Sequence, residues 1–178
     1  RDIAQKFNND FNCEGLLTIP EPLIQKKFSR IMSLKDAKSK MSKSDPSEQS
    51  RINLKDEKDL IVQKIKKAKT DSLLIPSNKS GLHSRPEAAN LLGIYSALKD
   101  EKLDIVMDEM SGKDFSSFKK LLSELTIDKI EPISKKMNDY LKNKDYLKKI
   151  LEEGKKKAEN ISSKNLLEIK KTIGLLII

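Results

Sequence analysis

The apolar residues of this chain change period once, near residue 55, and that change constrains the fold more than any other feature. Before it they come in short runs: Ile3, Ala4 and Phe7, then Leu16–Ile19, then a run around Arg30–Leu34. Pro20 and Pro22 forbid a continuous helix between the first runs. The pattern predicts a helix end followed by two short strands, the last αβ unit of a nucleotide-binding sheet. From about Glu57 the spacing becomes three to four residues, which predicts helices. Ile61, Ile65 and Ala68 share a face, and a polar loop over Thr70–Ser80 follows. Ser84-Arg85-Pro86-Glu87 has capping-box spacing with proline in the first turn, ahead of Ala88, Leu91, Leu92, Tyr95 and Leu98. Leu103, Val106, Met107 and Met110 form a short helix that stops at Gly112. Phe115, Phe118, Leu122 and Leu125 start a longer one, carried on by Ile133, Met137 and Leu141 with a bend at Pro132. Two last helices carry Leu147, Ile150, Leu151, Gly154, Ala158 and Ile161, then Leu166, Ile169 and Ile173. These stripes predict the core of an antiparallel bundle, so the chain is expected to be mostly α.

Composition narrows the chemistry. A length of 178 residues allows one or two domains with a real core. The net charge of +9 fits a polyanionic partner, although a lysine-rich chain can also simply reflect genome composition. Cys13 is the single cysteine, which excludes an internal disulfide and a multi-cysteine metal site and suits a reducing compartment. No run of 18 apolar residues occurs, so no membrane span is expected. The six glycines are isolated, and no Gly-rich phosphate loop exists. The one histidine, His83, has no metal partners in the sequence, and Asp56 and Asp71 lack ligand spacing, so no metal site is expected. Thr70-Asp71-Ser72 reads as a loop start or helix cap. The clusters Lys64-Lys66-Lys67-Lys69 and Lys155–Lys157 read as solvated helix faces or, alternatively, as contacts to nucleic-acid phosphates.

The candidate chemistry sits at Lys40-Met41-Ser42-Lys43-Ser44. Two spaced ammonium groups alternate with hydroxyls, and only Met41 is bulky and apolar, so no core need hold this loop in one shape. Lysine ammoniums are compact point charges suited to polyphosphate. They accelerate a reaction when they meet developing charge better than they meet the ground state. The hydroxyls of Ser42 and Ser44 and the loop's N–H groups can direct hydrogen bonds at the same oxygens. A plain solvated lysine–serine loop is the competing reading.

The pentapeptide resembles the second signature of class I aminoacyl-tRNA synthetases, and the flanks narrow the likeness. Arg1-Asp2-Ile3-Ala4-Gln5-Lys6-Phe7-Asn8, Thr18-Ile19-Pro20-Glu21-Pro22, Ser29-Arg30-Ile31-Met32-Ser33-Leu34, Lys69-Thr70-Asp71-Ser72, Arg85-Pro86-Glu87-Ala88-Ala89-Asn90-Leu91-Leu92, Ile94-Tyr95-Ser96 and Ile173-Gly174-Leu175-Leu176 stand in the order of the bacterial and organellar tryptophanyl-tRNA synthetase family. The resemblance implies that residues 1–54 are the C-terminal remnant of a Rossmann-type catalytic domain that includes the loop. Residues 55–178 would then be a helical anticodon-binding domain. It further implies that this is the C-terminal half of a chain nearly twice as long, whose other signature, with paired histidines, lies in the missing half. Pro76–Ser84 and Ser111–Phe118 depart from the family pattern.

The implied activity is ATP-dependent conversion of tryptophan to its adenylate, then transfer to tRNA(Trp), in a bacterial cytoplasm or an organelle matrix. The implied partners are tRNA(Trp), tryptophan and ATP with Mg²⁺, with the full-length protein a homodimer and no membrane contact. Lys40 and Lys43 are the implied catalytic residues, stabilising departing pyrophosphate. Ile31, Met41, Ser42 and Ser44 join both lysines around ATP, with the Ile31 backbone at adenine. A tyrosyl-type ligase, or a non-catalytic RNA-binding helical module of the same descent, are the alternatives.

Overall fold

A computed structural model describes residues 1–24 and 30–176. Six α-helices carry the chain: α1 Asp2–Asp10, α2 Lys58–Lys67, α3 Pro86–Lys99, α4 Leu103–Met110, α5 Phe115–Lys142 and α6 Lys144–Thr172, with single 3-10 turns at Glu48–Ser50 and Lys79–Leu82. The mostly helical expectation holds. Two compact units form, one from both ends of the chain, to Ile24 and from Tyr140 on, the other from the middle as far as Asp139.

The middle unit holds the core. Ile61 and Ile65 from α2, Ala88, Leu91, Leu92 and Tyr95 from α3, Val106, Met107 and Met110 from α4, and Phe115, Phe118 and Leu122 from α5 are buried together. These are the predicted faces, and burying each large side chain contributes about 1.5–3 kcal/mol. Tyr95 and Phe118 meet with ring centroids 5.6 Å apart, and Phe115 meets Phe118 edge-on at 6.3 Å. Gly112 ends α4 as expected, because its φ of +74° strongly favours a residue without a Cβ. Its N–H donates to the Ile75 carbonyl at 2.9 Å, which ties the loop before α3 to the α4–α5 turn.

Several boundaries differ from the sequence reading. Ser84 does not cap α3; Arg85 is the N-cap residue, without a side-chain cap, and Pro86 begins the helix. Glu87 pairs instead with Lys69 at 3.0 Å. Arg85 turns back to grip Asp71, donating from Nε and Nη2 at 2.8 and 2.7 Å, and lies over the Phe115 ring. That guanidinium holds the Asp71 carboxyl below its ordinary value. Pro132 lies inside α5, which continues to Lys142. The two predicted last helices are one, α6, capped by the Asn143 side chain accepting from the Tyr146 N–H.

Two expectations fail outright. No strand forms among the described residues, neither at Leu16–Ile19 nor around Arg30–Leu34; only an isolated antiparallel bridge joins Met32 to Lys40. A parallel strand needs flanking strands to satisfy both edges, and the described chain brings none to these runs. The α6 stripe is not a core either. No α6 residue is buried, and Leu151 and Ile161 are 72% and 68% exposed. Helical spacing specifies a face, whereas burial needs something to cover it.

One buried ion pair stands behind the middle unit. Lys64, on the inner face of α2 and 2% exposed, donates to Asp56 Oδ2 at 2.5 Å. Asp56 also accepts from the Asn53 N–H at 2.9 Å, and Gln49 Nε2 donates to the Lys64 carbonyl at 2.8 Å. Removing one partner of such a pair strands the other charge in a low dielectric.

Asp56→Ala is therefore expected to destabilise the protein by about 3–5 kcal/mol, with Asp56→Ala/Lys64→Met regaining much of the loss. Breaking the solvent-facing Lys58–Glu131 pair (3.0 Å) should cost only about 0–1 kcal/mol. Denaturant unfolding measures all three, and equal costs for the two pairs would contradict the burial argument. Because the folded pKa of Asp71 is depressed, its pairing stabilises above the ordinary carboxyl pKa and is lost as pH falls through the folded value. Asp71→Asn should accordingly flatten the acid limb of a stability–pH curve; an unchanged limb would assign acid sensitivity elsewhere.

Candidate functional site: the Lys40–Ser44 loop

The loop leaves from residues 31–34 and returns antiparallel to them. The Met41 N–H donates to the Ile31 carbonyl at 3.0 Å, and the Ser33 N–H donates to the Ser39 carbonyl at 2.8 Å. Together they make a two-bond stem around the Met32–Lys40 bridge. The turn closing this stem is built on Asp36, which accepts from the Lys38 N–H at 3.1 Å and the Ser39 hydroxyl at 2.7 Å. The Ser39 hydroxyl and Lys38 amide hold the Asp36 carboxyl below its ordinary value.

The opposite edge of Met32 meets α3. Its N–H donates to Asn90 Oδ1 at 3.0 Å, and Asn90 Nδ2 donates to its carbonyl at 2.9 Å. Leu34 is tied on both sides too: its N–H donates to the Ser50 carbonyl at 2.9 Å, and its carbonyl accepts from the Lys69 N–H at 2.8 Å. The far foot of the loop is held by Arg51. Its Nη1 donates to the Asp45 carbonyl at 2.8 Å, its Nε donates to Asn53 Oδ1 at 3.1 Å, and it pairs with Glu48. Asn53 and Asp56 then connect this foot to the buried Lys64.

Between these feet the tip is open. Lys40, Lys43 and Ser44 are exposed, and among the described residues neither lysine has a carboxylate partner. The hydroxyls of Ser42 and Ser44 lie 2.9 Å apart, bonded to each other. Met41 is the exception. It packs against the core and lines a small apolar cavity of about 140 Å³ with Ile31, Leu34, Ile65 and Leu122. The expectation that no core holds this loop is corrected there: one apolar side chain does anchor it. Ile31 is 38% exposed beside Met41. All six predicted site residues thus lie on one stem and its loop. A wider depression of about 760 Å³ between α2 and α5, carrying Lys66, Lys119 and Lys120, shares none of them.

The other candidates resolve differently. The Lys64–Lys69 cluster is not one solvated face, since Lys64 is buried against Asp56 and Lys69 pairs with Glu87; Lys66 and Lys67 remain exposed. Lys155–Lys157 are exposed, with Lys155 3.5 Å from Glu159. His83 is exposed and follows the Lys79–Leu82 turn as its C-cap. No group of three or more potential metal-ligating side chains occurs among the described residues. Sequence reasoning missed Asn90, Arg51 and Lys64. Asn90 carried a signal, because a poor helix former stands between Ala89 and Leu91 inside an otherwise apolar helix.

Such a site presents two exposed cations, without a carboxylate partner among the described residues, and two hydroxyls from a loop fixed at both feet, which fits a transient polyphosphate better than a resident ligand. Comparison with known proteins shows the family. The family model for class I tRNA synthetases (W and Y) matches residues 1–168. The tryptophan–tRNA ligase of Caulobacter vibrioides is 45% identical over 174 residues, covering 98% of this chain and 51% of that protein. The Rickettsia conorii tryptophan–tRNA ligase is 46% identical over 177 residues, covering 99% and 53%. Among solved structures, tryptophanyl-tRNA synthetase from Mycoplasma pneumoniae superposes with a TM-score of 0.83 at 28% identity, over 99% of this chain and 52% of that one. The Campylobacter jejuni enzyme, complexed with ADP and tryptophan, gives 0.64 at 27% identity, over 98% and 52%. The chain spans about half the length of the relatives it matches, and it belongs to the class I tRNA synthetases of the tryptophan and tyrosine group.

Proposed function

We propose that this chain acts as the C-terminal portion of a tryptophan–tRNA ligase. The observation that carries the reading is the loop: two exposed lysines, without a carboxylate partner among the described residues, with Ser42 and Ser44 on a stem whose backbone is fixed from both sides. Identities near 45% to proteins named tryptophan–tRNA ligases favour tryptophan over tyrosine. Residues 1–54 would be the end of a Rossmann-type nucleotide-binding domain and residues 55–178 an anticodon-binding helical domain. The substrates are tryptophan, ATP with its Mg²⁺ and tRNA(Trp), and the full-length protein works as a homodimer in the bacterial cytoplasm or an organelle matrix. No helix among the described residues is long and apolar enough to cross a membrane.

In the first step a carboxylate oxygen of tryptophan attacks the α-phosphorus of ATP. The bond from the α-phosphorus to the α,β-bridging oxygen breaks, and pyrophosphate leaves with the electron pair. Lys40 and Lys43 stabilise the charge gathering on the leaving group. Ser42, Ser44 and the loop N–H groups orient its oxygens, and the Ile31 backbone with Met41 borders adenine. In the second step a terminal ribose hydroxyl of the tRNA attacks the acyl carbon and releases AMP. The first step asks this half for no general base, because phosphoryl-type transfer leans on positioning and charge stabilisation.

The 178-residue chain by itself is expected to show no tryptophan-dependent pyrophosphate exchange, since its only histidine is His83 and it carries no paired-histidine signature. Exchange clearly above background in the purified chain would overturn this. In the full-length protein, Lys40→Ala or Lys43→Ala should slow adenylate formation by roughly 10²–10³, comparable with losing one preorganised donor. ATP binding should weaken far less and the melting temperature should hold, since an exposed lysine contributes little burial. Single-turnover kinetics and thermal melting check both halves. A loss explained wholly by weaker ground-state ATP binding would reduce the loop to a solvated turn.

A further inference from the structure

We propose that Asn90 is a positioning residue for the signature loop: its side-chain amide, holding both backbone groups of Met32 from α3, fixes the stem that carries Lys40 and Lys43. In paired extended backbone, one residue's N–H and C=O face one edge and its neighbours' face the other. Here the Ile31 carbonyl and Ser33 N–H face the returning arm of the loop, at Met41 and Ser39. The Met32 N–H and carbonyl face away from it, and both end on Asn90, at 3.0 and 2.9 Å. The amide therefore stands where a neighbouring strand would stand, one residue's width from the bridge to Lys40.

Few side chains can do this. The task needs an acceptor and a donor spaced like a peptide group, which an asparagine amide supplies. Aspartate supplies only acceptors, glutamine sets the amide one methylene farther out, and leucine fills the volume with neither. Packing does not replace the clamp, because Arg30, Ile31 and Met32 line an open depression of about 370 Å³ with Pro86, Asn90 and Ile94. Without Asn90 the loop keeps Arg51 on the Asp45 carbonyl and the Leu34 bonds to Ser50 and Lys69, but nothing holds the outer edge of Met32 beside the bridge to Lys40. A shift of about 1 Å at the stem moves both ammonium groups off the leaving oxygens, and misplacement on that scale can cost about 10²-fold in rate.

The inference rests on the ligase reading above for its kinetic consequence but not for its structural one, and the test separates them. In the full-length protein, Asn90→Leu keeps the volume and removes both hydrogen bonds. Tryptophanyl-adenylate formation should then fall about 10²-fold, with the tryptophan KM moved by no more than about twofold. Hydrogen exchange at the Ser33 and Met41 amides should accelerate while Leu91, Leu92 and Tyr95 keep their protection. Asn90→Asp, which retains an acceptor for the Met32 N–H, should lie between, and it carries the test where the leucine variant does not fold. Unchanged rate and unchanged stem exchange in a folded variant overturn the proposal. So does a loss of rate accompanied by equal loss of protection along α3, which marks a general structural role. Should the unsubstituted full-length protein make no tryptophanyl adenylate, the ligase reading falls, and exchange at Ser33 and Met41 alone decides the clamp.

Discussion

Residues 31–34 cross the middle unit as a single line of backbone with no sheet around it, and satisfying that backbone organises much of what surrounds it. The Ile31 carbonyl and Ser33 N–H go to the arm of the loop. Met32 goes to Asn90 on α3, and Leu34 goes to Ser50 at the end of the Glu48–Ser50 turn and to Lys69 just past α2. A buried backbone group left unpaired costs about 1–3 kcal/mol, whereas a made bond returns about 0.5–1.5. Against a whole-protein stability of roughly 5–15 kcal/mol, several orphaned groups in one segment would be decisive. Helices α2 and α3 therefore do two jobs: they bury their apolar faces together, and they present polar groups to one extended line.

The same device occurs in the other unit. Asn8 on α1 donates from Nδ2 to the Leu17 carbonyl at 2.8 Å and accepts from the Leu17 N–H at 3.0 Å. Both runs that looked like strands thus have one residue held on both backbone groups by a helix-borne asparagine. The β-like apolar spacing was real; what replaced a neighbouring strand was an amide. Charge is divided just as sharply over α2. Lys64 points inward to Asp56, Lys66 and Lys67 point to water, and Lys119 reaches across from α5 to accept-capable carbonyls at Lys66 and Ala68. Burial lowers the Lys119 pKa, as expected for an ammonium that meets only carbonyl dipoles.

What was legible in the sequence follows from which forces are local. Period and burial coincide from Ile61 to Leu122 because α2–α5 cover one another, so their core could be read from spacing alone. The capping box at Ser84–Glu87 could not, because Glu87 found a better partner in Lys69 and Arg85 in Asp71, both outside the helix. The stripe of α6 was legible as a helix face and illegible as core, since a face does not name its cover. The loop was legible as an open, cationic segment because exposure of lysine and serine needs only residue types in order. Its foothold on α3 was legible only in part: a poor helix former marks Asn90, but Met32 lies 58 residues away and nothing local names it as the partner.

That contrast between feet and tip bears on why the loop is built from lysine and serine. The ammonium groups of Lys40 and Lys43 are exposed and have no carboxylate partner among the described residues, so presenting them to a phosphate requires breaking no ion pair seen there. The hydroxyls of Ser42 and Ser44 satisfy each other at 2.9 Å, and either can exchange that bond for one to an anionic oxygen, which is the stronger, charge-assisted kind. Arginine in place of either lysine would bring a rigid planar fork that selects one geometry, whereas on the proposed ligase reading charge moving onto the departing pyrophosphate changes geometry as it goes. Met41 supplies the opposite property, an apolar anchor that limits how far the tip can wander from Ile31. Rigidity belongs to the backbone of this loop and adaptability to its side chains, a division that favours binding charge as it develops over binding it beforehand.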